Sequence, residues 1–232
     1  MRKKLIIDYR FCEIADKRWG SEFEILPSPV LEHVSAPVCG HSDLSLCVIG
    51  DTFVAEKTAY EYYREKLAGK RVICGETTLD KHYPSDIAYN VLISENIAFA
   101  NAAFLDSVVK RELSGHDVRL IPVNQGYARC STVVLKNGLI SADPSIIQAA
   151  RDAGVDVLPI APGMVELAGY EYGFLGGASG FIDNRLFFFG NIKKHKNYEE
   201  IKDFTLKKGI SIEYIDQLPL TDIGTIIGID AP

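Results

Sequence analysis

The chain has 232 residues, 47% of them hydrophobic and 24% charged, with a net charge of -6 and a sequence pI near 5.4. This is the balance of an ordinary globular protein with room for one sizeable core or two small ones, and it excludes a disordered chain. Basic runs are short, Arg2-Lys3-Lys4 and the pair Lys207-Lys208 among them, so neither a nucleic-acid partner nor an anionic membrane surface is expected. A small ligand, cationic if charged, fits better.

The opening MRKKLIIDYRF carries a basic head, but its apolar run Leu5 to Ile7 is too short for a signal-peptide core and ends at Asp8. No stretch approaches the roughly 20 apolar residues of a membrane span. The five cysteines, Cys12, Cys39, Cys47, Cys74 and Cys130, are odd in number and never in CxxC spacing. That pattern points to reduced thiols in a cytosol rather than to a disulfide frame or a zinc site.

Taken in chain order, residues 3–28 read as a strand, a helix and a second strand. Residues 40–56, GHSDLSLCVIGDTFVAE, read as two strands joined at Gly50-Asp51. On the first strand His41, Asp43 and Ser45 share one face, and Leu44, Leu46 and Val48 the other. A helix-period segment, TAYEYYREKLAGK, follows and ends at Gly69, then a strand from Arg71 to Cys74. The order is ββαβ.

The next stretch repeats it, with DIAYNVLI from Asp86, a turn at Ser94-Glu95-Asn96, IAFA, the helix AAFLDSVVKREL closed by Gly115, and DVRLIPV. A third copy runs from Cys130 (CSTVVL) through Asn137-Gly138, a strong hairpin signal, into LISA. Its helix SIIQAARDAG starts at the cap pair Asp143-Pro144, and VDVLPI completes the copy. The fourth has GGASGFI, a turn at Asp183-Asn184, RLFFFG, the helix NYEEIKDFTLKKG between Asn197 and Gly209, and ISIEYI. Residues 221–230, TDIGTIIGID, look like a first strand with nothing after it, and the N-terminus like a unit lacking its first strand. Joined, they make a fifth copy, so the last strand is expected to pair with Lys4 to Asp8 and close a ring with no open sheet edge.

Five ββαβ units around a pseudo-fivefold axis resemble the pentein fold of the guanidino-group-modifying enzymes, and the sequence is similar to an uncharacterised family of that fold. The resemblance covers nearly the whole chain as one domain. It implies that the first strand of each unit lines a central channel. Aligning the units by their apolar alternation then superposes Asp43, Asp86 and Asp222, with Cys130 at that position in the third copy and Gly176-Gly177 in the fourth.

The chemistry of such a set is nucleophilic. A Cys130 thiolate attacks the electron-poor carbon of a guanidinium or amidine that aspartates hold by charge-assisted hydrogen bonds. His41 protonates the departing amine and then activates water. The resemblance implies this covalent route too, with His41-Ser42-Asp43 similar to a pair in the deiminase branch, whereas Tyr127-Ala128-Arg129-Cys130 lies closer to the hydrolase branch. Arg129 either lowers the thiol pKa or repels a cation. Asp222 or Asp86 has to serve as the acid beside the histidine.

The expected catalytic residues are Cys130, His41 and Asp43, with Asp86, Asp222, Arg129 and Gly177 binding substrate. The competing reading is a non-catalytic binding protein on the same fold, like the ribosomal anti-association factor. In it Cys130 is an inert buried residue, His41 caps a loop and the aspartates make local turns. His41, Asp43 and Asp86 could instead hold a divalent metal, but His33, His82, His116 and His195 are scattered without ligand spacing, so no metal and no cofactor is expected. The run from Gly176 to Gly180 precedes a strand rather than opening a helix, which removes a phosphate-loop reading. Tyr170, Tyr172, Phe174 and Phe187 to Phe189 read as core aromatics, and AGYEYGFLGG alternatively as a loop over the channel mouth.

Overall fold

A computed structural model describes residues 2–230. The first unit comprises β1 (Lys4–Ile7), α1 (Cys12–Trp19) and β2 (Glu24–Pro27). The second opens with a helical turn, α2 (Ser42–Ser45), and continues as β3 (Leu46–Ile49), β4 (Thr52–Ala55), α3 (Tyr60–Lys66) and β5 (Arg71–Cys74). The third is β6 (Leu92–Ser94), β7 (Ile97–Ala100), α4 (Ser107–Gly115) and β8 (Arg119–Pro122). The fourth is α5 (Ala128–Ser131), β9 (Thr132–Leu135), β10 (Gly138–Ser141), α6 (Pro144–Asp152) and β11 (Val157–Pro159). The fifth is β12 (Ser179–Ile182), β13 (Arg185–Phe188), α7 (Tyr198–Lys207) and β14 (Ser211–Tyr214), and β15 (Ile227–Ile229) ends the chain.

These strands form five separate three-stranded sheets, in each of which the first strand is antiparallel to the second and the second parallel to the third across a helix. The sheet β15-β1-β2 joins the two ends of the chain, with Lys4 opposite Ile229 and Ile6 opposite Ile227. The turns explain the hairpins. Gly50 (φ 59) and the pair Asp183-Asn184 (φ 52 and 60) supply the left-handed backbone that two-residue loops demand. In the fourth unit the loop is Lys136-Asn137, one residue earlier than the Asn-Gly signal suggests; Asn137 (φ 61) takes the left-handed position and Gly138 opens β10. Helix α6 begins as expected, with Asp143 accepting from the Ile146 N–H and Pro144 in the first turn. Helix α4 starts later than its apolar pattern, because Asp106 accepts from the Val108 and Val109 N–H groups and so fixes the N-terminus there.

The ring closes through loops as much as strands. Ser42 Oγ donates to the carbonyls of Gly224 and Thr225, each at 2.8 Å, and the Thr225 N–H donates to Gly177 O at 2.8 Å, tying the second, first and fifth units together. The expectation of no open edge is corrected. With five sheets rather than one continuous barrel, each third strand is an outer edge, and β5, β8 and β14 each begin with an exposed residue. Pro27, Pro122 and Pro159 end three of these edge strands and blunt them against pairing with another chain.

Apolar burial lies between units rather than on the axis. Trp19 packs edge-on against Phe187 at 5.5 Å between ring centroids, in a cluster with Leu5, Ile7, Phe189, Ile223 and Ile226 that joins the first unit to the fifth. Phe187, Phe188 and Phe189 are core residues as expected. Because hydrophobic stabilisation sits in these wedges, the axis is free to carry polar groups.

Candidate active site

At the axis the structure places one residue from each unit, and several are not the ones the repeat alignment chose. The expected strand carrying His41 and Asp43 is instead the helical turn α2, capped by His41, and the strand starts only at Leu46. Cys130 likewise lies in the turn α5 rather than on β9. The loops before the first strands differ in length, so the three aspartates do not occupy one structural position. Asn90, Cys130, Gly177 and Thr225 each stand two residues ahead of their unit's first strand, and Asp43 three ahead. Asn90 and Thr225 fill the places assigned to Asp86 and Asp222.

These residues form one bonded set. The Cys130 thiol donates to Asp43 Oδ2 at 2.9 Å, and Thr225 Oγ1 donates to the same oxygen at 2.6 Å. Asn90 Nδ2 donates to Cys130 Sγ at 3.1 Å and to Asp43 O at 3.3 Å, while Asn90 Oδ1 accepts from the N–H groups of Arg129 (2.8 Å) and Cys130 (3.4 Å). Asn90 therefore orients both the Cys130 sulfur and the turn that carries it. Thr225 holds φ 72, a sparsely populated region for a β-branched residue, kept there by its bonds to Gly177 and Ser42.

His41 and Asp222 complete the wall. Both are 2% exposed, and His41 Nδ1 lies 3.9 Å from Asp222 Oδ1, an ion-pair separation when the imidazole is protonated. Asp222 Oδ2 accepts from the Phe174 N–H at 2.9 Å and Oδ1 from the Gly224 N–H at 3.0 Å. Burial, against the opposing pull of His41, raises the Asp222 pKa above its ordinary value. Gly177 is required because a Cβ there would overlap the Asp222 carboxylate, and Gly224 (φ 67) because a Cβ would strike His41. His41 Nε2 and Asp43 Oδ1 are buried without a protein partner.

Asp86 and Arg129 go elsewhere. Tyr127 Oη donates to Asp86 Oδ2, so Asp86 sits behind the Tyr127 ring and is absent from the cavity lining. Arg129 turns to the opposite side of Asp43, into a separate cavity among the strands, and donates to Thr132 O at 3.1 Å. Burial first, then Asp43 and Asp222, pushes the Cys130 thiol well above its ordinary value.

The cavity over Cys130 has a volume of about 140 Å³ and is walled by Val38, Leu44, Tyr127, Leu167, Tyr170, Tyr172 and Phe174, with His41, Cys130 and Asp222 as its polar groups. The segment AGYEYGFLGG thus forms its roof; Tyr170 and Tyr172 are exposed rim residues rather than core. His41, Asp43 and Cys130 each offer a ligand atom, all within 4.8 Å of one another, a three-donor set for a soft divalent metal in which Cys130 replaces the Asp86 named from sequence. Chemically, the site joins a thiol, an imidazole and the Asp222 carboxylate under an apolar roof, with Asp43 behind the sulfur, an arrangement suited to a planar cation.

A family described as "Family of unknown function (DUF6873)" matches residues 6–227. The chain belongs to this family. No curated protein matches the sequence. Among solved structures, it is similar to DDAH from Pseudomonas aeruginosa, a cysteine-to-serine mutant complexed with citrulline, at 12% identity and TM-score 0.57 over 93% of this chain and 92% of that one. A dimethylarginine dimethylaminohydrolase adduct with S-methyl-L-thiocitrulline aligns at 11% identity and TM-score 0.57 over 93% of both chains. SxtG, an amidinotransferase from Microseira wollei in the saxitoxin biosynthetic pathway, aligns at 11% identity and TM-score 0.50 over 93% of this chain and 88% of that one. The DUF6873 chain has the pentein fold. None of its helices is long and apolar enough to cross a membrane among the described residues.

Proposed function

We propose that this DUF6873 protein is a cysteine-dependent hydrolase or transferase acting on a guanidino or amidino carbon through a covalent Cys130 adduct. The observation that carries the reading is the convergence of Cys130, His41 and Asp222, from three units, on one small cavity, with Asp43 accepting from the thiol behind it. A binding protein needs no thiol hydrogen-bonded to a carboxylate beside a buried imidazole.

In this reading the guanidinium enters beside Asp222, whose carboxylate holds its N–H groups, while the charge of Asp43 lies behind the sulfur. The resting thiol is neutral, and the arriving cation offsets the two carboxylates that disfavour the thiolate. Sulfur then attacks the central carbon, forming a C–S bond. The thiol proton passes by way of His41 to the departing nitrogen, the C–N bond breaks and a thiouronium remains. His41 next takes a proton from water, or from an acceptor amine in a transferase. The oxygen or nitrogen adds to the carbon, the C–S bond breaks, and the sulfur recovers its proton. Asn90 steadies sulfur at both thiolate stages by donating from Nδ2.

The test is release of ammonia or amine from a panel of guanidines and amidines, with intact-mass detection of the adduct. His41→Ala is expected to lower turnover about 10²- to 10⁴-fold, and Cys130→Ser to abolish both turnover and adduct. Cation binding that raises the melting temperature with neither turnover nor adduct favours the binding-protein reading. Stabilisation by zinc that a chelator reverses, with no response to any guanidine, favours the metal reading of His41, Asp43 and Cys130.

A further inference from the structure

We infer that the substrate is an alkyl guanidine or amidine that carries no carboxylate, an inference that rests on the guanidino reading of the site. The roof segment around Tyr170 and Tyr172 also borders a second, open cavity of about 520 Å³, and the two cavities share Leu167, Tyr170, Tyr172 and Asp222. A substrate whose guanidinium lies over Cys130 sends its stem out past the aromatic rim toward that outer cavity. The inner volume of about 140 Å³ is well below the roughly 300 Å³ at which ordinary ligand pockets begin, so only the guanidinium and a short apolar stem fit inside. Tyr127, Tyr170, Tyr172 and Phe174 present ring surface to that stem; the Tyr127 hydroxyl is already committed to Asp86.

The far end of the stem meets the wrong charge for a carboxylate. Among the described residues lining either cavity, Arg10 is the single Lys or Arg. Its fork is taken: Nε and Nη2 donate to the two oxygens of the fully buried Asp8, Nη2 also to Pro37 O at 2.7 Å, and Nη1 to Ala36 O at 3.3 Å. Four of the five N–H donors of a guanidinium are thus spent, and its charge is balanced by Asp8. The outer cavity instead exposes Glu166 and Glu171. An amino-acid carboxylate placed there gains no ion pair and faces like charge, whereas an uncharged or amino-terminated stem loses nothing. Citrulline, the molecule bound in the similar Pseudomonas structure, ends in an amino-acid carboxylate, so the two proteins part at this end of the site.

Two matched pairs isolate the carboxylate: agmatine against arginine, and butylguanidine against 4-guanidinobutanoate. Calorimetric titration of the Cys130→Ser protein, which forms no adduct, gives the affinities. Thermal shift of the wild type with the same compounds gives the order independently of that variant. The carboxylate-free member of each pair is expected to bind at least about tenfold tighter, a difference of about 1.4 kcal/mol. The gap is expected to narrow in a Glu166→Gln/Glu171→Gln double variant; an undiminished gap would contradict the part given to these glutamates. Arginine and 4-guanidinobutanoate binding as tightly as their partners, or tighter, overturns this inference and leaves the guanidino reading standing. Binding by none of the four overturns both.

Discussion

The sulfur of Cys130 is held by opposite demands. Asp43 accepts a hydrogen bond from the thiol and disfavours the thiolate, while the Asn90 amide donates to sulfur and favours it. Asn90→Ala is therefore expected to do two separable things. The buried N–H groups of Arg129 and Cys130 lose their acceptor, which costs about 1 to 3 kcal/mol in a denaturant melt. Loss of the donor also moves the pH profile of Cys130 alkylation to higher pH, a change that a merely structural role would not cause. An unshifted profile would remove Asn90 from the account of the nucleophile. In the proposed reaction the acid limb is set by Asp222. Its raised pKa places loss of its charge above the ordinary aspartate range as pH falls, so guanidinium affinity is expected to decline in mildly acidic buffer and less so in Asp222→Asn, which starts weak at every pH.

At the scale of elements, the turns were legible in the sequence and the loops before the first strands were not. Gly50, Asp183-Asn184 and the Asp143-Pro144 cap each carry a local backbone requirement that few residues meet, so they fix their elements within a residue or so. The helical turns α2 and α5 are four residues each, too short for alternation to be told from helical period, and both read as strand beginnings. Matching aspartate to aspartate then chose Asp86 and Asp222, whereas counting back from each hairpin turn leads to within one residue of Asn90 and to Cys130 and Gly177. Closure by β15 was legible because an apolar, strand-like segment stands where a tail is usually polar. A chain ending at Leu220 loses β15 together with Asp222 and Thr225, and is expected to aggregate or melt without cooperativity. An unchanged cooperative melt by that shortened chain, as a monomer, would contradict the ring.

Over the whole molecule, the wedge-shaped packing buries thiols in apolar surroundings, with a consequence for alkaline stability. Burial pushes Cys47 up to about 12 and Cys12 to about 11, and Cys130 is also raised well above its ordinary value. A thiol whose folded pKa is raised contributes fully below its unfolded value near 9, and the contribution is lost as pH rises toward the folded value. Stability is therefore expected to fall between about pH 9 and 12, with Cys47 accounting for up to about 4 kcal/mol, and the slope to flatten in Cys47→Ala. A melt that does not change with pH over that window would contradict the burial assigned to these thiols. The same neutral resting state makes the reactivity of Cys130 depend on its partner's charge, since a bound cation is what activates the thiol in the proposed reaction. The measurement is peptide mapping after brief exposure at pH 7.5 to a cationic haloacetamidine or, in parallel, to neutral iodoacetamide. The amidine is expected to modify Cys130 before any other cysteine, agmatine to protect it, and iodoacetamide to leave it behind the half-buried Cys12 and Cys74. Equal labelling of Cys130 by both reagents, or amidine labelling that falls first on Cys12 or Cys74, would contradict the proposed reaction.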